Sequence, residues 1–175
     1  ALTKIVSFAA LPFFVNTLSE GDIGILNIFS STIVFLTPII SMGVLYSLTV
    51  EYYKQTKDEY AALLSTSLVI PVLFSLVLVP VFFFISPYLS ATFNFQYNFF
   101  WLIPVCLLLN FLFEAFIILL RMHNNIRLFS AISLLKIFTE ITVSILLIYF
   151  VSRTWYSRAM GYLAAGAVVA IIFII

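Results

Sequence analysis

Long apolar runs separated by short polar breaks dominate the chain. The runs cover residues 1–18, 25–50, 61–85, 97–120, 128–151 and 160–175. A bilayer crossing takes about 20 apolar residues in a helix, so each run is a candidate span. The lengths and the lack of two-residue alternation predict helices, because a backbone in lipid must satisfy its polar groups within its own segment. The expected fold is all-α, a polytopic membrane helix bundle of about six spans in one transmembrane domain, residues 1–175. The linkers, residues 19–24, 51–60, 86–96, 121–127 and 152–159, are short enough to make sequential spans antiparallel neighbours. Pro12, Pro38, Pro71, Pro80 and Pro104 fall inside runs, where neighbouring helices or local kinks must compensate the missing N–H. The first run has neither the basic start nor the small-residue cleavage site of a signal peptide and reads as a first span.

Composition sharpens this picture. Of 175 residues, 64% are hydrophobic and 9% charged, against about 25% charged in an ordinary soluble domain. A water-soluble globule is excluded. A net charge of +1, with no basic stripe, argues against a nucleic-acid partner. The lone Cys106 forms no intrachain disulfide and reads as a small buried hydrophobe. The chain opens without Met and closes inside an apolar run, so a fragment of a longer protein is expected.

Position matters more than sum for the charges. Lys54 and Lys57 occupy the second linker, Arg121 and Arg127 the fourth, and the first and third linkers have no Lys or Arg. The positive-inside rule makes the second and fourth linkers cytoplasmic, with the N-terminus and Lys4 on the same side. Arg153 and Arg158 then fall outside, as tolerated exceptions or because function holds them there. Tyr52, Tyr53 and Tyr60 gather at the predicted inner interface; Tyr88, Tyr97, Trp101, Trp155 and Tyr156 gather at the outer one. Such aromatics anchor helices at interfaces, though the outer set could also stack against sugar rings.

Charges within spans are the sharpest functional signal, since each costs roughly 2.5–3.5 kcal/mol at a helix centre on insertion scales. Glu114 lies in the fourth run, and Lys136 and Glu140 lie one turn apart on one face of the fifth. With Asn124 at the middle of the intervening hairpin, Glu114 and Lys136 reach similar depths, roughly 15–18 Å from the turn. A Glu114–Lys136 pair is allowed, leaving Glu140 to face a watery cavity or hold a proton as a coupling site. The alternative is a cluster that only pins the two helices together. In-span polar residues such as Asn27, Ser41, Asn110 and Ser144 could line a cavity or bind helix to helix. Phosphate loops, metal-ligand spacings and nucleophile elbows are missing, and His123 reads as a solvated turn residue, so an enzyme is not expected.

Several segments resemble a known family in order and spacing. Leu11-Pro12 closes the first run; Leu18-Ser19-Glu20-Gly21-Asp22-Ile23-Gly24 forms the next turn; Gly43 precedes Glu51-Tyr52-Tyr53. Arg121-Met122-His123-Asn124-Asn125-Ile126-Arg127 follows the fourth run, and Trp155-Tyr156-Ser157-Arg158-Ala159-Met160-Gly161 leads the sixth. Together they are similar to the polysaccharide-transporter branch of the multidrug/oligosaccharidyl-lipid/polysaccharide exporters, the Wzx-type O-antigen flippases. Ile23 replaces the usual aromatic, Glu51 stands where an arginine is usual, and Ser157 replaces a glycine. The resemblance implies the N-terminal lobe of a two-lobed exporter whose C-terminal lobe lies beyond this chain. Its substrate would be a polyprenyl-pyrophosphate-linked oligosaccharide, flipped across the cell inner (cytoplasmic) membrane by alternating access. Membrane lipids would be the other partners. No cofactor is implied beyond proton or sodium coupling, and the candidate pathway residues are Glu114, Lys136, Glu140, Arg158 and Arg121. Alternatives are a multidrug-type exporter of the same superfamily, a membrane-embedded transferase of polysaccharide assembly, or a purely structural helix bundle.

Overall fold

A computed structural model describes residues 2–41, 43–92 and 100–174. Among them are seven helices and no strand: α1 (Leu2–Thr17), α2 (Glu20–Ser41), α3 (Val44–Glu51), α4 (Lys57–Thr92), α5 (Leu102–Met122), α6 (Ile126–Phe150) and α7 (Trp155–Ile174). Five of these, α2, α4, α5, α6 and α7, are long and apolar enough to cross a membrane. The protein is an all-α, multi-pass membrane chain. The beginning of the fourth predicted span, with Tyr97, and the terminal residues 1 and 175 lie outside the described residues.

Three predicted boundaries move, each for a local reason. The run 25–50 is two helices, because Gly43 adopts φ 74° and ends the regular backbone between α2 and α3. Only glycine takes that left-handed conformation without a Cβ penalty. The third span does not stop at residue 85: α4 continues through Pro87 to Thr92, about 54 Å of helix against about 30 Å of hydrocarbon. The sixth span starts at Trp155 rather than 160, which moves Arg158 from the predicted linker into the first turns of a helix.

Caps fix several helix ends. Thr56 begins α4 with its backbone N–H and hydroxyl both donating to Glu59 Oε2, at 3.1 and 2.7 Å. This is one arm of a capping box. At the α5–α6 turn Asn124 takes φ 54°, Asn125 N–H donates to Leu120 O at 2.9 Å and Asn124 N–H to Arg121 O at 3.0 Å. That pair of bonds around a left-handed Asn is a Schellman ending. Hydroxyls near Pro38 bond nearby carbonyls, Thr37 to Ile33 O and Ser41 to Pro38 O, as side chains do around membrane prolines.

The chain divides into two compact units, one from residues up to Ser31 together with Leu119 onward, the other Thr32–Ile118. In the first unit α6 packs along α7, and α1 packs on α6. Phe14 of α1, Leu18 just after it and Ile148 of α6 form a buried cluster, flanked by Phe13, Ile23, Leu26 and Ile145. In the second unit α3 packs on α4, with Leu48 buried and Tyr52 edge-on to both Tyr53 and Tyr60. There α5 buries Ile103, Leu107, Phe111 and Ala115, a stripe at four-residue spacing.

Candidate functional site

The candidate site is a polar seam between α6 and α7 in the first unit. On α6, Ile132, Lys136, Glu140, Ser144 and Ile148 recur every fourth residue and so form one ridge. Its two ends, Ile132 and Ile148, are buried apolar contacts; its middle is a base, an acid and a hydroxyl. From α7, Arg158 reaches two of these three. Its Nη2 lies 2.7 Å from Glu140 Oε1, and its Nη1 donates to Ser144 Oγ at 3.1 Å. The guanidinium also stacks over the Phe14 ring of α1, 4.4 Å from the centroid. One turn of α7 further on, the Tyr162 ring faces Lys136 Nζ at 5.6 Å. A planar guanidinium suits this combination of a carboxylate, a hydroxyl and an aromatic face better than a lysine would.

Gly161 brings the helices close enough for these contacts. A Cβ there would stand 2.8 Å from Glu140 O and 2.9 Å from Ser144 N, and would collide with Ser144 Oγ. The Ser144 hydroxyl is fully used, donating to Glu140 O at 2.6 Å while accepting from Arg158. The side chains of Arg158 and Glu140 retain 23% and 15% of their exposure. The pair is therefore largely removed from solvent yet reachable.

A second contact fixes where α7 begins. Asp22 Oδ1 accepts the backbone N–H of Trp155 at 3.0 Å, satisfying one of the donors a helix start leaves unpaired. The same carboxylate accepts the Ser19 hydroxyl at 2.5 Å through Oδ2, and Ser19 Oγ accepts Asp22 N–H at 3.1 Å. One aspartate thus serves the starts of both α2 and α7. Trp155 itself is buried, 1% exposed.

Of the residues expected to carry function, the seam gathers Lys136, Glu140 and Arg158. Glu140 is not the leftover carboxylate of the expected arrangement: Arg158 holds it, because α7 starts early enough to bring the arginine opposite α6. Glu114 is half-buried on α5 in the second unit. Arg121 is exposed in the last turn of α5, over the Phe129 ring at 5.3 Å. There it faces the carbonyl end of α5, where a cation is favoured. Asp22 and Tyr162 were not singled out from sequence for these roles. The Ser19-x-x-Asp22 spacing before an apolar run marks a cap, whereas the bond to Trp155 spans 133 positions and leaves no local trace. No group of His, Cys, Asp and Glu among the described residues could hold a metal ion.

No protein-family model, no curated protein and no solved structure matches this chain.

Proposed function

We propose that this chain is the N-terminal lobe of an exporter that flips a lipid-linked oligosaccharide across the cytoplasmic membrane by alternating access, with the N-terminus inside. The observation that carries the reading is the Asp22–Trp155 bond. It joins two of the segments that resemble polysaccharide transporters, and three positions of the second have a physical role. Trp155 starts α7, Arg158 takes the carboxylate, and Gly161 permits the crossing. The seam's charge supports an anionic substrate. The seam places Lys136 and Arg158 beside Glu140, two cations to one carboxylate, and ionisable groups at such positions mark substrate and ion pathways. Arginine forks match phosphate oxygens as readily as carboxylates, so a pyrophosphate that displaces Glu140 finds Arg158 already oriented.

The test is complementation with the full-length protein in a cell lacking its own flippase, reading surface glycan at matched protein abundance. Arg158→Ala and Glu140→Gln are expected to lose surface glycan while inserting normally, with Arg158→Lys intermediate. Full surface glycan from both Arg158→Ala and Glu140→Gln would refute the role of the pair. Failure of the unaltered protein to restore any glycan would refute the flippase assignment.

A further inference from the structure

The hydroxyls of α4 behave in two ways. Ser65 and Thr66 turn back onto Ala62 O, at 2.9 Å each, much as Thr17, Thr37, Thr49 and Ser144 donate to the carbonyl four residues earlier in their own helices. That bond is the default for a hydroxyl in an apolar helix, because it needs no partner from elsewhere. Ser75, Ser86 and Ser90 forgo it. They are 0%, 0% and 8% exposed, and none of their Oγ atoms has a hydrogen-bond partner. With Pro71, also fully buried, they fall within about 100° of one another around the helix, on the side away from the exposed Leu73, Val77 and Phe84. An unpaired buried hydroxyl is costly, and the back-bond that would relieve it is one rotamer away.

The backbone beside these serines is short of donors as well. Pro71, Pro80 and Pro87 lie inside α4 and bring no N–H to the carbonyls of Ser67, Leu76 and Phe83, four residues earlier. Leu76 adjoins Ser75, and Phe83 shares a turn with Ser86. An interrupted ladder of this kind is where water enters a membrane helix. We infer that the buried face of α4 binds internal water within the second unit, at Ser75 in the middle of the helix and between Ser86 and Ser90 near its end. A buried water makes about three hydrogen bonds to polar groups that lack other partners. Ser75 Oγ and Leu76 O supply such groups at the first site; Ser86 Oγ, Phe83 O and, one turn on, Ser90 Oγ supply them at the second. Residues 60–92 contain no charged side chain to balance a bare ion, so the occupant is water.

The test is a hydroxyl-radical pulse, generated by X-ray radiolysis, on the full-length protein in detergent micelles, read as side-chain oxidation by peptide mass spectrometry. Radicals formed from water held at a site oxidise the side chains nearest to it. Leu78 and Phe82 are partly buried, each within about a turn of Ser75 and Ser86 respectively; Leu73 and Phe84 are 56% and 71% exposed on the detergent-covered side. Leu78 and Phe82 should be oxidised several-fold faster than Leu73 and Phe84, the reverse of their exposure. Ser75→Ala should bring Leu78 down to the rate of Leu73, and Ser86→Ala should bring Phe82 down to that of Phe84, with helicity unchanged by circular dichroism. Leu78 or Phe82 oxidised no faster than its exposed counterpart, or oxidation that survives the alanine replacement, would overturn the assignment. Should an alanine variant lose helicity, the order of the four rates in the unaltered protein decides.

Discussion

Replacing Gly161 with Ala tests the α6–α7 crossing directly. A methyl group there meets Glu140 O at 2.8 Å and Ser144 N at 2.9 Å, both backbone atoms of α6, besides Ser144 Oγ. A side chain could swing aside; a helix backbone cannot, so the two helices must separate. Overpacking of this kind costs about 1–3 kcal/mol. Alanine also favours a helix over glycine by about 0.5–1 kcal/mol, which partly masks the clash in a single variant. Gly24→Ala supplies the correction, because a Cβ at Gly24 in α2 has nothing within 4 Å and gains only the propensity. The difference between the two variants is then the clash alone, about 1–3 kcal/mol. Reversible unfolding of the protein from mild into denaturing detergent, followed by circular dichroism, reads this difference. Ser144→Ala should not rescue Gly161→Ala, since the two backbone contacts persist. Gly161→Ala as stable as Gly24→Ala would mean that α6 and α7 do not cross here.

Three further outcomes are expected. Asp22→Ala removes the acceptor of Trp155 N–H and the partner of Ser19, and should lower stability by about 1–3 kcal/mol; an unchanged unfolding midpoint would contradict the shared cap. Glu140→Ala strands Arg158 in a largely buried site and should cost about 3 kcal/mol, while adding Arg158→Met should recover most of it. A double variant no more stable than Glu140→Ala alone would show that the two side chains are not coupled. Gly43→Ala forces a Cβ into a backbone at φ 74° and should cost about 1–2 kcal/mol, with Gly43→Asn milder because Asn tolerates that region; equal costs for the two would argue against a left-handed residue between α2 and α3.

Much of the helical layout is legible in the chain because lipid imposes simple rules on length and polarity. The α5–α6 turn falls where polar residues interrupt two apolar runs, and Asn124 and Asn125 supply the capping chemistry on the spot. Lys136 and Glu140 share a face because four-residue spacing requires it. Less legible are the features that depend on a distant partner or on geometry without polarity. The break at Gly43 lies inside an unbroken apolar run, so hydropathy passes over it. The start of α7 depends on Asp22, and apolarity alone places it at residue 160, after Arg158, because a charged residue looks like a linker until its partner is known. Glu140 then looks unpaired for the same reason.

The pairing of Arg158 with Glu140 also bears on why the seam is polar. Ile132 and Ile148 show that the α6 ridge packs with apolar side chains at both ends, and a ridge of isoleucines throughout would avoid the desolvation cost carried by the middle three residues. Two helices need no salt bridge to stay together where Gly161 already lets their backbones approach. On the proposed flippase reading, the polar middle does more than fasten. It holds a guanidinium in a fixed orientation against Phe14, Ser144 and Glu140, of which only Glu140 is an anion that another anion can replace. Displacing it exchanges one charge-assisted bond for another and leaves Ser144 and Phe14 in place. The decisive comparison is thus Glu140→Gln, which keeps the shape and removes the charge. If Glu140 only braces the helices, this variant should match the double replacement Glu140→Leu with Arg158→Met in transport. If the carboxylate holds Arg158 ready for an anionic substrate, the double replacement should be inactive though stable, and Glu140→Gln should bind substrate more tightly and release it more slowly.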